Sequence, residues 1–192
     1  MNMNKTVFIS YSWAEPSGGI VNNWLKPSLK DAGISVSVDK DNCQYQDSIE
    51  EYEQEIGNAD MIIAVVGNLY LESINCMYEI ASIFEKGGEL SKRLYFIALE
   101  KVQSDDQIAK HWSDAKFEVE SRLKRKVVAR EPDEKKLEKI DLICKYLGEI
   151  LVYWNDRNRL DFSKVSKNNF HIVVNKILDR INDADIPAGT LV

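Results

Sequence analysis

The sequence predicts an α/β domain in which helices cover both faces of a doubly wound parallel sheet. In the N-terminal half, short apolar runs typical of strands alternate with longer stretches that have the period of an amphipathic helix. The runs follow one another at roughly thirty-residue intervals, the usual length of a strand–helix–strand unit. Two of them, Met61–Val66 and residues 94–99, are apolar throughout, as expected of strands buried on both faces of a parallel sheet.

The remaining elements of this half follow from local patterns. The run "TVFIS" at residues 6–10 predicts the first strand, and the turn cluster "WAEPSGG" follows it. Apolar residues at helical spacing predict a helix over residues 20–33, which ends near a glycine. The run "SVSV" at residues 35–38 predicts the second strand. A capping-box pattern then predicts a helix over residues 47–57.

The C-terminal half of the chain is predicted to be helical. Apolar stripes indicate one helix over residues 108–123, a second over residues 132–151 with a proline in its first turn, and a third over residues 169–181. No Gly/Ser-rich linker separates the halves, so they are expected to pack together. The predicted single domain spans residues 5–185, with an α/β core at 5–100, a helical extension at 105–152 and a final helix at 163–183.

Composition and charge limit the possible classes of function. The chain has 192 residues and a formal net charge of −6, which argues against sequence-independent binding of nucleic acid or anionic membranes. The three cysteines are scattered, and His111 and His171 lie far apart, so neither a metal site nor a disulfide framework is expected. No apolar run reaches the length of a membrane span. A cytoplasmic protein is therefore predicted.

The segments that leave the predicted strands carry the polar residues of a candidate site. In an open α/β sheet, ligands bind at the carboxyl ends of the strands, near the point where the strand order reverses. The residues available there are Ser10, Tyr11, Ser12, Trp13, Asp39, Asp41 and Glu79. They predict a pocket with hydroxyl groups for a sugar, a ring for stacking and an acid, but they do not name the ligand.

Glu79 lies on a predicted helix that is otherwise suited to a core. On a helical wheel it falls beside Cys76 and Ile83, at the margin of the apolar stripe. An acid there can be partly desolvated and still reach a cleft, or it can pair with Lys86 or another surface cation. The sequence contains neither a phosphate-binding glycine loop nor a G-x-S-x-G elbow, and Cys43 and Cys76 are interpreted as core residues.

Three segments in order resemble the TIR (Toll/interleukin-1 receptor) domain. "VFISYSWAE" resembles its first box, and "DKDNCQYQDSI" resembles the loop after its second strand. "LYLESINCMYE" resembles the box that holds the catalytic glutamate of NAD-consuming members, where a Ser, a Cys and a Glu three residues later recur. The similarity runs from residue 5 to about residue 99 and is strongest to a bacterial branch of the family.

The resemblance implies a fold and a reaction. The fold is a flavodoxin-like, doubly wound parallel sheet of four to five strands, with additional C-terminal helices packed on the same domain. For the fifth strand, "KVVAR" at residues 126–130 and "ILVYW" at residues 150–154 are candidates, although both fit helical patterns better. Enzymatic members cleave the nicotinamide–ribose bond of NAD⁺, so the implied catalytic acid is Glu79 and NAD⁺ is a substrate, with no cofactor. The implied substrate-binding residues are Phe8, Ser10, Ser12, Trp13, Asp39, Asn75 and Cys76.

Two positions depart from the family pattern. Many enzymatic members have Trp four residues before the glutamate, where this chain has Asn75. A stacking wall must then come from elsewhere, for example from Trp13 or Trp112. The loop after the second strand often has Gly where this chain has Gln46, which affects loop conformation and any assembly through that loop.

The predicted function is that of a TIR-type NAD⁺ glycohydrolase or ADP-ribosyl cyclase. In bacteria, the resemblance implies a role in antiphage defence or signalling. The resemblance further implies self-association through TIR surfaces and a partner effector or sensor protein. One alternative is a non-catalytic TIR adaptor that acts by homotypic assembly. Another is an enzyme similar to the nucleoside deoxyribosyltransferases, which would leave NAD⁺ untouched.

Overall fold

The computed structural model contains the predicted parallel sheet, with five strands in the order β2-β1-β3-β4-β5. The strands are β1 (Thr6–Tyr11), β2 (Ser35–Val38), β3 (Met61–Val66), β4 (Leu94–Ala98) and β5 (Leu160–Asp161). The structure describes residues 5–14, 16–38, 56, 59–87, 93–99, 102–125, 131–156, 160–161, 171, 174–175 and 177–179. The strand order reverses beside β1, which places a topological switch point between β1 and β3. The predicted fold class is confirmed.

Helices lie in the chain between β1 and β2, between β3 and β4, and between β4 and β5. The first, α1, consists of Ser17–Ile20, a π-helical turn at Val21–Leu25, and Lys26–Asp31. The others are α2 (Asn68–Glu72), α3 (Ile74–Lys86), α4 (Asp105–Arg125) and α5 (Glu131–Asp156). Residues 171, 174–175 and 177–179 are also helical, within the final helix that the sequence predicts. The predicted helix over residues 47–57 lies outside the described residues, except for Ile56, which is helical and buried.

The π-helical turn in α1 has a cause in the sequence. Pro27 lies two residues after the turn and has no N–H to donate to the preceding helical turn, and its ring crowds the carbonyl there. A wider turn just before a proline relieves this conflict and lets the helix continue. The helix then ends as predicted, with Gly33 in the left-handed region at φ 80°.

The side chains of the sheet alternate between two hydrophobic cores. Val7, Ile9 and Tyr11 of β1 pack into the core beside α1 and the helical residues Val174 and Ile177. Phe8 faces the opposite core, which contains α3, α4 and α5. Because side chains alternate along a strand, Ser10 faces the same side as Phe8, toward α3. This alternation places a polar residue of β1 against the helix that carries Glu79.

The fifth strand differs from both sequence candidates. The segment "ILVYW" lies inside α5, and "KVVAR" lies outside the described residues. Instead, Leu160 and Asp161 pair with Ile97 and Ala98 of β4. A strand of two residues is too short for period-2 alternation, which is why no hydropathy pattern predicts it.

Candidate active site

Glu79 lies in the middle of α3, the helix that follows β3 and α2 at the carboxyl edge of the sheet. Its neighbours on the buried face of α3 include Cys76, Ile80 and Ile83. Glu79 is 8% exposed, so it is more deeply buried than the margin position predicted by the helical wheel. A buried carboxylate requires hydrogen-bond donors, because losing its hydration without compensation costs several kcal/mol.

One donor comes from the neighbouring strand. The Ser10 hydroxyl of β1 donates to Glu79 Oε2 at 2.5 Å, a length typical of an O–H donated to a carboxylate. Ser10 Oγ also lies 2.7 Å from the hydroxyl of Tyr70, which belongs to α2. A serine hydroxyl has one proton. Since that proton goes to Glu79, the hydroxyl of Tyr70 donates to Ser10, and the three side chains form a chain of hydrogen bonds directed at the carboxylate.

The protonation of Tyr70 supports this direction. Burial is the main cause that raises the pKa of Tyr70 well above its usual value, and the nearby Cys76 and Glu79 raise it further. The hydrogen bond with Ser10 acts in the opposite direction and is the weaker influence. The phenol of Tyr70 is therefore protonated at neutral pH and remains available as a donor.

Tyr70 is not among the predicted site residues. It lies on a short apolar helix and resembles a core residue, and its partner Ser10 is 60 residues away in the chain. One signal was available, because a buried tyrosine needs a partner for its hydroxyl. That requirement indicates a polar neighbour without naming it.

Several predicted site residues do lie near this chain of hydrogen bonds. Phe8 precedes Ser10 by two residues on the same face of β1, and its side chain is fully buried. Cys76 is buried one helical turn before Glu79. Ser12 directly follows β1 and is half-buried, and Trp13 is 50% exposed. The roles of these residues in binding substrate stay predictions.

Asn75 lies at the surface of the domain, and Trp112 lies in its core. Asn75 is exposed, and its Oδ1 accepts a hydrogen bond of 3.0 Å from the Lys139 ammonium of α5, which also lies 5.2 Å from the centre of the Tyr78 ring. Asp39 lies outside the described residues. Trp112, considered as a stacking wall, is 0% exposed and donates its indole N–H to the carbonyl of Leu71, so it belongs to the core.

A small apolar cavity lies beside Tyr70, between the sheet and α5. Its volume is about 10 Å³, and its lining includes Val66, Phe96 and Trp154. A space of this size holds at most one water molecule, and its apolar walls offer no partners for one. It is a packing gap in the core and is too small for a nucleotide. Among the described residues, no group of three or more His, Cys, Asp or Glu side chains is arranged to hold a metal ion.

The helix that carries Glu79 begins at a serine cap. Ser73 is the N-cap of α3, and its Oγ accepts from the backbone N–H of Cys76 at 3.4 Å. We expect Ser73→Ala to lower the free energy of unfolding by about 0.5–1 kcal/mol, measured by urea denaturation, because one N–H of the first turn loses its partner.

Ser82→Ala is the matched control for the cap. Ser82 lies within α3, and its hydroxyl donates to the carbonyl of Tyr78 one turn earlier. Such a bond competes with the helix ladder, so its loss should change the unfolding free energy by less than about 0.5 kcal/mol. Equal losses for the two variants would contradict a capping role for Ser73.

Comparisons with known proteins agree with this architecture. A family model described as the TIR domain matches residues 7–140 of the chain. Among solved structures, the chain is similar to the TIR domains of the activated Roq1 resistosome directly recognizing the pathogen effector XopQ. The TM-score is 0.52 and the sequence identity 16%, over 92% of this chain and 99% of that chain.

At this level of identity the structural likeness shows the fold alone. The comparison with curated proteins gives no significant match. No helix in the described part of the chain combines the length and the apolarity that a membrane crossing requires. The family model covers more than half of the chain and includes β1, α3 and Glu79. The chain therefore belongs to the TIR domain family.

Proposed function

We propose that this protein is a NAD⁺ nucleosidase that cleaves the bond between nicotinamide and ribose, with Glu79 as the essential carboxylate. The single observation that carries the proposal is the position of Glu79. In a chain of the TIR family, its carboxylate is buried at the carboxyl edge of the sheet and accepts a hydrogen bond from the Ser10 hydroxyl of β1. A structural glutamate on a helix surface would instead be expected in solvent.

The chemistry of NAD⁺ needs only one carboxylate. Ordinary glycosidases use two carboxyl groups, because one must protonate the leaving oxygen. In NAD⁺ the leaving group is a pyridinium. When the bond between C1′ and the ring nitrogen breaks, both electrons go to that nitrogen, and nicotinamide leaves neutral without a proton. Positive charge then develops on the ribosyl carbon and ring oxygen.

A fixed carboxylate can stabilise this developing charge. Glu79 would do so through the hydroxyl groups of the ribose or through its field, and the effect is strongest where water is excluded. Its low exposure of 8% supports such an environment. Capture of the cation by water gives ADP-ribose and a proton, and capture by a nucleophile within the same molecule gives a cyclic product.

The wider role follows from the family. We propose that the activity serves antiphage defence or signalling in the cytoplasm, and that it requires self-association through TIR surfaces or a partner effector or sensor. The likeness to TIR domains within the Roq1 resistosome supports self-association, since those domains act in an assembly.

The proposal is tested by incubating the purified full chain with NAD⁺ over a range of protein concentrations. Nicotinamide release is followed by chromatography, the products are identified by mass spectrometry, and the mass of the protein is measured by light scattering. We expect release of nicotinamide at a rate per protein that rises with concentration, because assembly activates the enzyme. Absence of release from assembled protein would overturn the proposal.

The second candidate function is that of a TIR adaptor without catalytic activity. The observation that favours it is the position of Asn75, where many enzymatic members have Trp. The side chain of Asn75 accepts a hydrogen bond from Lys139 of α5 and supplies no aromatic ring of its own. An adaptor would assemble in the light-scattering experiment and leave NAD⁺ intact.

A further inference from the structure

We propose that Tyr70 is a positioning residue for the NAD⁺-cleaving reaction, acting through Ser10 to hold the carboxylate of Glu79. The inference rests on the proposed function and extends it to a residue that is not among the implied substrate-binding residues. The proposal is supported by two hydrogen bonds, one of 2.7 Å from Tyr70 to Ser10 and one of 2.5 Å from Ser10 to Glu79.

Tyr70 is unsuited to contact substrate directly. It is 1% exposed, and its ring lines the apolar core beside the small cavity, with Leu71 and Met77 as neighbours. Its hydroxyl lies 2.7 Å from Ser10 Oγ. The two hydrogen bonds therefore give this hydroxyl a route to Glu79 through Ser10.

The chain of hydrogen bonds controls two properties of the carboxylate. First, a glutamate has three side-chain torsions, and a donor fixed on β1 restricts their range. Second, the proton of Tyr70 occupies one lone pair of Ser10 Oγ, which keeps the serine proton directed at Glu79 and strengthens that donation. Catalysis depends on such placement, because a displacement of about 1 Å can cost on the order of a hundredfold in rate.

The test is Tyr70→Phe, which removes the hydroxyl and keeps the ring in the core. We expect kcat for nicotinamide release to fall about fivefold to tenfold, the effect of one lost hydrogen bond, while KM changes by less than about twofold. A purely structural tyrosine would lose thermal stability without this separation of kcat from KM.

Tyr153→Phe is the matched control. The hydroxyl of Tyr153 donates to the carbonyl of Leu94 at 3.0 Å, and its ring packs edge-on against Phe84 and Phe96. This substitution also removes one hydroxyl from an interior hydrogen bond and keeps the ring. We expect a similar decrease in the melting temperature for both variants, but wild-type kcat for Tyr153→Phe.

A double-mutant cycle tests the route through Ser10. Ser10→Ala should lower kcat at least as much as Tyr70→Phe, because it removes the direct donor. Adding Tyr70→Phe to Ser10→Ala should then cause no further decrease. Additive decreases would overturn the proposed route, and equal kcat for Tyr70→Phe and Tyr153→Phe would overturn the role of Tyr70. A wild-type protein that releases no nicotinamide would overturn the proposed function together with this inference.

Discussion

Glu79→Gln should decrease nicotinamide release from NAD⁺ by at least about a hundredfold. Glutamine has nearly the same shape and can still accept the hydroxyl of Ser10, but it carries no charge to stabilise a ribosyl cation. The fold should persist. We expect the melting temperature of the variant to equal or exceed that of the wild type, because a neutral amide costs less to bury than a carboxylate.

Glu85→Gln on the same helix is the control for this prediction. Glu85 lies on the surface of α3, where its Oε1 is 3.5 Å from the ammonium of Lys145. An exposed ion pair of this kind contributes about 0–1 kcal/mol, so its loss should leave both stability and turnover close to wild type. Equal NAD⁺ consumption by the Glu79 and Glu85 variants would show that the assignment of the site is wrong.

Trp112→Ala should lower the free energy of unfolding by about 3–5 kcal/mol, the largest loss of stability expected here. Trp112 is 0% exposed in the core between α4 and the rest of the domain, and its indole N–H donates to the carbonyl of Leu71 at 3.1 Å. The substitution leaves a large cavity and removes a buried hydrogen bond to the Leu71 carbonyl. Urea denaturation gives the free energy and shows whether the transition remains two-state.

Two variants separate the contributions at this position. Trp112→Phe keeps most of the ring volume and loses the hydrogen bond, so it should cost less than Trp112→Ala. Phe117→Ala, on the same helix, removes a side chain that is 72% exposed and should change the unfolding free energy by less than about 0.5 kcal/mol. A loss below about 1 kcal/mol for Trp112→Ala would contradict the core assignment.

The sequence predicts best the features that depend on local pattern. β3 is apolar throughout because both of its faces are covered, so its hydropathy alone identifies it as a central strand. The sharp end of α1 follows from Gly33, whose positive φ suits a glycine. Glu79 was found through its position on the helix and through the resemblance to the TIR family.

The features that the sequence could not predict depend on contacts between distant residues. Tyr70 and Ser10 meet only because β1 and β3 are neighbours in the sheet, and nothing in the sequence around Tyr70 marks it as polar in function. Trp112 and an aromatic residue of a binding cleft have the same hydropathy, so only tertiary packing tells them apart. The wide turn of α1 arises from a single proline, which sequence periodicity does not register.

Because side chains alternate along β1, the hydrogen bond between Ser10 and Glu79 depends on the register of this strand. β1 pairs with β2 on one edge and with β3 on the other, so hydrogen bonds to two strands fix its register. A shift of the strand by one position would place Ile9 or Tyr11 opposite Glu79 instead of Ser10. The hydroxyl of Ser10 would then be buried in the apolar core on the other face of the sheet. An inserted or deleted residue within this strand would therefore disturb the packing of both cores and the hydrogen bond to Glu79 in one step.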